Sequence, residues 1–159
     1  MVRIELMTQI AAPIERCFDL ARNIDLHMAS TNQTGEQAIA GVTSGIIGAG
    51  ETVKWRGRHF GVMLEHTSRI TAFTFPTHFQ DVMVRGMFRS FRHDHSFQSR
   101  PGGTTMADVL EFEAPYGLIG KLVEHAVLEK HLRLLLEKRN DCIKRVAESQ
   151  DWKQYFPSV

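Results

Sequence analysis

The chain is poor in the features that mark secreted, membrane-spanning and nucleic-acid-binding proteins. Of its 159 residues only two are cysteine, Cys17 and Cys142. Each stands in a helical apolar pattern, so a disulfide framework is not expected, and two buried free thiols in a reduced cytoplasm fit better. No apolar run approaches the roughly 20 residues that span a bilayer, so membrane insertion is not expected. The opening "MVRIELMTQIAAP" lacks the apolar core of a secretory signal and alternates like a strand. Charges of the two signs nearly cancel, with a formal net charge of +1, so no global field favours nucleic acid or an anionic membrane. There is no P-loop, dinucleotide fingerprint, nucleophile elbow or paired-cysteine motif, and no cofactor is expected. Repeats, low-complexity segments and linkers are also missing, which suits one domain over residues 1–150 followed by a short aromatic tail, 151–159. Histidine, in contrast, is abundant: eight residues, a first sign of a polar, titratable interior.

The order of elements follows from apolar spacing. "VRIELMTQI" alternates as a half-buried strand. "AAPIERCFDLARN" opens a helix at Pro13, with Ile14, Cys17, Phe18 and Ala21 on one face and Asn23 as its stop or cap. "IDLHMAST" adds one or two helical turns. Six strand-like segments follow, punctuated by glycine and by the turn "RPGG". From Tyr116 the period changes to that of one long helix of about 30 residues, roughly 45 Å. Its first half carries Leu118, Ile119, Leu122, Val123 and Ala126. Its second half carries Leu128, Leu132, Leu135, Cys142, Ile143 and Val146 on another face, which implies two packing partners along its length. The predicted class is α+β: a curved antiparallel sheet of about seven strands wrapped around a long C-terminal helix, with two short helices after strand 1. An antiparallel sheet of that size must bury one face, and the long helix is its only large partner. Space left between them is the default ligand site.

Several segments together resemble a known superfamily: "IDLHMAST", "AIAGVTSGIIGAGETVKWRGRHFG", "FQDVMVRGMFRSFRHDHSF", "MADVLEFEAPYG" and the helix ending "LLLEKRNDCIKRV". They are similar to the START-like, helix-grip (SRPBCC) proteins, which include polyketide cyclases, pollen-allergen-type carriers and lipid-transfer domains, and most of all to bacterial ligand-binding members without a settled activity. The resemblance covers nearly all of residues 1–150. It implies a cavity between sheet and helix for an apolar or amphipathic molecule, and it does not imply one chemistry.

The residues themselves sharpen the site. If Ser99 pairs with Thr104 across "RPGG", then Phe97 faces Met106, His95 faces Asp108, His93 faces Leu110 and Phe91 faces Phe112, all on one side of the sheet. That set is much more apolar than the opposite face, with Arg92, Asp94, Ser96, Ala107, Val109 and Glu111, so it is expected to be concave and buried. Asp108 would hold one nitrogen of His95 and leave the other free for a ligand. The alternative is a polar pair that fixes register without touching a ligand. His93, His95 and Asp108 also have the donor types of a metal site, but nothing else in the sequence marks one, and no metal is expected. His27 is either a group at the rim of the cavity or a surface histidine, Trp55 lies on the cavity wall or in the core, and His59 is read as closing a turn. Arg139 sits in the apolar stripe of the long helix, either locking helix to sheet or meeting an anionic group. Asp81 and Met83 share a strand face whose direction depends on a bulge at Gly86.

Three functions stay open on these residues. The first is a cytoplasmic binding protein for a small hydrophobic or amphipathic molecule. The second is a cyclase or dehydratase in which His95, oriented by Asp108, takes a proton. The third is an interaction domain with a filled core. An exposed edge strand allows a monomer or a homodimer.

Overall fold

The structure, a computed structural model, describes residues 1–114 and 127–156. Seven strands form one antiparallel sheet: β1 Val2–Ile10, β2 Gln37–Gly41, β3 Thr52–His59, β4 Val62–Thr74, β5 His78–Arg85, β6 Ser90–Arg100 and β7 Gly103–Glu113. Their order is β1-β7-β6-β5-β4-β3-β2, so β2 to β7 are successive neighbours and the first strand closes beside the last. Two short helices, α1 Ile14–Ala21 and α2 Ile24–Ser30, follow β1, and α3, Glu129–Glu148, packs against β1, α1 and α2. This is the α+β helix-grip arrangement the residue pattern predicts. The first half of the predicted long helix, with Leu118, Ile119, Leu122, Val123 and Ala126, lies outside the described residues.

Local chemistry explains the joints. Asn23 caps α2 by accepting from the Leu26 amide at 2.9 Å, and its side-chain amide donates to the Tyr155 carbonyl at 3.1 Å. The tail thus returns to the body as a short 3-10 helix, Asp151–Tyr155, with Trp152 under the Arg16 guanidinium at 4.3 Å. The "RPGG" turn sets β6 against β7 in the expected register, with Ser99 opposite Thr104 and His95 opposite Asp108. At its end Gly103 lies so close to the Ile10 carbonyl that a Cβ there would stand 2.0 Å from the oxygen. Only glycine lets β7 start beside the end of β1.

The core divides in two. One cluster centres on Phe18, which meets the rings of Phe73, Phe75, Phe79 and Phe97 edge-on at 5.3–5.4 Å. The other joins Val2, Ile4, Leu110 and Phe112 to Leu128 and Leu136 of the helix side. Leu132, packed against the second cluster, and Leu135 of α3 are only half-buried, because they also face a cavity.

Candidate functional site

The cavity lies between the concave sheet and α3 and has a volume of about 230 Å³. Apolar groups such as Ile24, Ile47, Trp55, Leu110, Leu132 and Leu135 form most of its wall. Among the described residues, the His66–Ser68 pair, 2.8 Å apart, and two larger polar clusters interrupt this wall.

The first cluster stands on the middle of β5 and β6. β5 pairs with β6 so that Asp81 is directly opposite His93, and opposed residues share a face, so Asp81 points inward with the histidines. His95 Nε2 lies 3.0 Å from Asp81 Oδ2. Its Nδ1 lies 3.0 Å from Asp108 Oδ1 and 3.5 Å from Arg139 Nη2. His93 donates through Nε2 to the same Asp108 oxygen at 2.9 Å, while its Nδ1 stands 4.0 Å from Asp81 Oδ2. Asn140 donates to the other Asp108 oxygen at 2.7 Å. Arg139 reaches Asp108 at 3.4 Å, Asn140 Oδ1 at 3.0 Å and the Ala21 carbonyl at 2.9 Å. The guanidinium therefore ties α3 to both β7 and the last turn of α1. The Phe79 ring stacks on His95 at 4.1 Å and fixes its plane.

Burial and charge set the protonation of this cluster. Burial pushes the Asp108 carboxyl up, but the hydrogen bonds of His93 and His95 and the charge of Arg139 outweigh it and hold it well below the carboxylate range. Burial acts the same way on Asp81, and the His95 hydrogen bond with the nearby histidine charges brings it down to about 2. Burial, then the like charge of His95, lowers His93. Two ionised carboxylates therefore flank the rings.

The second cluster is built from three separate elements and one loop. Glu36, just before β2, accepts from His27 of α2 at 2.7 Å and lies 3.3 Å from His59 Nε2 at the end of β3. His59 Nδ1 continues to His131 Nε2 on α3 at 3.1 Å. His27 also stacks on Trp55 at 4.2 Å. Burial opposes ionisation of Glu36, but hydrogen bonds from both histidines keep it far below its ordinary range. Burial, with the charge of His59, lowers His131 and favours its neutral form. The result is a carboxylate–imidazole–imidazole chain ending in the cavity wall beside Phe60.

Measured against the expectations, His27, Trp55, Phe91, His93, His95, Leu110 and Arg139 line the cavity. Phe97, Met106, Phe112 and Asp108 do not. Phe97 is taken up by the Phe18 ring cluster, Met106 and Phe112 are fully buried in the two cores, and Asp108 stands fully buried behind the two imidazoles. The free nitrogen expected on His95 is also absent, because Asp81 occupies it. His59 does more than close a turn. Asp81 faces inward, and Glu36 and His131 join the site without any sign in the local sequence.

No protein-family model matches the chain, and no curated protein matches it. Solved structures do. TTHA0849 from Thermus thermophilus superposes with a TM-score of 0.71 at 15% identity, covering 92% of this chain and 99% of that one. CV1439 from Chromobacterium violaceum gives 0.70 at 14% identity, covering 94% and 99%. Major latex-like protein 151 from Panax ginseng gives 0.68 at 14% identity, covering 93% and 98%. At these identities the likeness concerns the fold: the chain has the START-like, helix-grip architecture.

Proposed function

We propose that this chain binds a small amphipathic molecule in the cavity, with an apolar body against the leucine and tryptophan wall and a hydroxyl directed at Asp81. A concave, mostly apolar pocket with a few convergent polar groups is the usual form of a small-molecule site. The observation that carries the reading is Asp81, an ionised carboxylate on the cavity wall, only partly covered and held in place by His95. Such a group selects a hydrogen-bond donor, and a bond to a charged acceptor contributes about 1.5–3 kcal/mol, or tenfold and more in affinity. The test is displacement of N-phenyl-1-naphthylamine, in EDTA, by 4-hexylphenol and by its methyl ether. The phenol is expected to displace the dye at a concentration at least tenfold lower, and Asp81→Asn to remove that preference. Absence of saturable dye binding, or an unchanged preference in Asp81→Asn, would overturn the reading.

A second reading, proton transfer on the bound molecule, is favoured by one observation, the Glu36–His59–His131 chain. His131 is neutral, oriented through its other nitrogen and open to the cavity, which suits a general base better than the fully engaged His95. Exchange of an acidic C–H of a bound ketone in D₂O, followed by proton NMR, is expected to fall at least 100-fold in His131→Ala. Exchange that proceeds equally in the variant removes this reading.

A further inference from the structure

Asp81, His93 and His95 each offer one donor atom on the cavity wall, and the three donors lie within 4.8 Å of one another. From this convergence we infer that the chain holds a divalent first-row transition ion, of the Zn²⁺ or Fe²⁺ class, between these three atoms, with its remaining positions open to the cavity. The inference stands apart from the amphipathic ligand, since the ion alone is the probe.

Three features of the geometry support it. The donor set is two imidazoles and one carboxylate, which suits zinc and non-haem iron and leaves positions free for water or substrate. The contact between His95 Nε2 and Asp81 Oδ2 is 3.0 Å. With bonds of about 2.1 Å, ligands stand about 3.0 Å apart in an octahedral set and about 3.4 Å apart in a tetrahedral one, so this edge is within a few tenths of an ångström of either. The other edge to Asp81, 4.0 Å from His93 Nδ1 to Asp81 Oδ2, has to shorten when an ion binds, and the Asp81 side chain is only partly covered and has room to turn.

The strongest support comes from the far side of the rings. Metal-bound histidines present one nitrogen to the ion and give the other N–H to a carboxylate or carbonyl. Here the distal nitrogens of both rings meet the same oxygen, Asp108 Oδ1, at 2.9 and 3.0 Å. When both donate to it, and an incoming ion displaces the proton that His95 Nε2 gives to Asp81, the lone pairs of His93 Nδ1 and His95 Nε2 are directed towards Asp81. Asp108 is anchored in turn by Asn140 and Arg139, and Phe79 holds the His95 plane by stacking. The supporting shell of a metal site is thus complete in the fold, and a chain of His-x-His spacing on one strand supplies two ligands at no cost in loop entropy.

The untagged full chain, stripped with chelator, is titrated with Co²⁺ and Zn²⁺. One equivalent is expected to bind, with visible Co²⁺ d–d bands that Zn²⁺ abolishes. Asp81→Asn and His95→Gln should each weaken binding about 10- to 100-fold, and His131→Gln should leave it unchanged. Circular dichroism of each variant establishes that it is folded, and the isosteric Asp81→Asn keeps the test available if His95→Gln is not. The inference is overturned by no stoichiometric binding to the folded chain, by full binding in Asp81→Asn, or by loss of binding in His131→Gln, which would move the ion to the other histidine cluster. Phenol preference in EDTA is scored separately, so either result can fail without the other.

Discussion

Replacing Asp108 by asparagine tests whether the interior charge network holds the fold together. Asp108 is fully buried and takes contacts from His93, His95, Arg139 and Asn140. The amide of Asp108→Asn has nearly the same shape, so no cavity opens, but the charge facing the Arg139 guanidinium is gone and an N–H group meets other donors. Removing one member of a buried, hydrogen-bonded pair costs about 3–5 kcal/mol, because the partner stays desolvated without compensation. For a domain of this size each kcal/mol moves Tm by about 2–4 °C, so a drop of roughly 6–20 °C is expected. Arg139→Met should be similarly costly, since it also abandons the Ala21 carbonyl at the end of α1. The double variant, Asp108→Asn with Arg139→Met, should cost less than the two single changes together by at least about 1 kcal/mol, because each change removes the other's unpaired partner. Urea unfolding followed by far-ultraviolet circular dichroism measures all four chains. A loss below about 1 kcal/mol in Asp108→Asn, or strict additivity in the double variant, would refute the argument that these two charges depend on each other.

Stability should fall as the solution is acidified from pH 7. Burial lowers His66, His93 and His131 below their ordinary value, so the unfolded chain takes up protons near pH 6.5 before the folded chain does, and stability drains away as pH falls through the folded values. The depressed carboxyls of Glu36 and Asp81 act in the same direction lower down: their contribution is present above about pH 4.3 and is lost as pH falls towards the folded values. Urea midpoints at pH 8, 6, 5 and 4 should decline in that order, and a higher midpoint at pH 5 than at pH 8 would contradict this sign. Phe18→Ala should cost about 3–5 kcal/mol, because the ring is fully buried and four aromatic partners lose an edge contact at once. The same unfolding assay measures it, and a loss under 1 kcal/mol would mean the ring cluster collapses to fill the void.

How far the site could be read from sequence depended on the length of the connections. The four-residue "RPGG" turn leaves one pairing of β6 with β7, and an alternation of two then settles which side His93 and His95 occupy. The facing of Asp81 had no such anchor. Between Val82 and Arg92, the last pair of β5 with β6, nine residues intervene, and β4 carries two irregularities against β5, each able to reverse the side that a residue presents. Phe97, Met106 and Phe112 have the correct facing but the wrong role, because alternation gives the buried side of a strand without saying whether a helix or a space lies above it. Phe18, from α1, covers Phe97. The Glu36–His59–His131 chain was beyond any local pattern: His59 and His131 are 72 positions apart, and they meet only because the curled sheet brings the end of β3 under the start of α3.

The placement of these charges has a further consequence for what the cavity can take. A buried ion pair adds little to stability compared with an apolar core of the same volume, so stability alone gives no reason to place two carboxylates behind and beside His95. The two have different surroundings. Asp108 is enclosed, with all its contacts inside the protein, whereas Asp81 keeps part of its surface on the cavity. On the binding reading proposed above, the inner carboxylate holds the rings and the outer one meets what enters. Arg139 and His131 mark the two polar clusters on the same helix, separated by roughly 12 Å of axial rise. Because α3 is one rigid element over this span, the distance between the clusters is preset. On the same reading, a molecule with a single polar end engages one cluster and leaves the other to water, while one with a polar group at each end satisfies both. Comparing monohydroxylated and terminally dihydroxylated ligands of matched length would therefore report whether the Glu36 cluster takes part in binding, with Glu36→Gln expected to affect the second class alone.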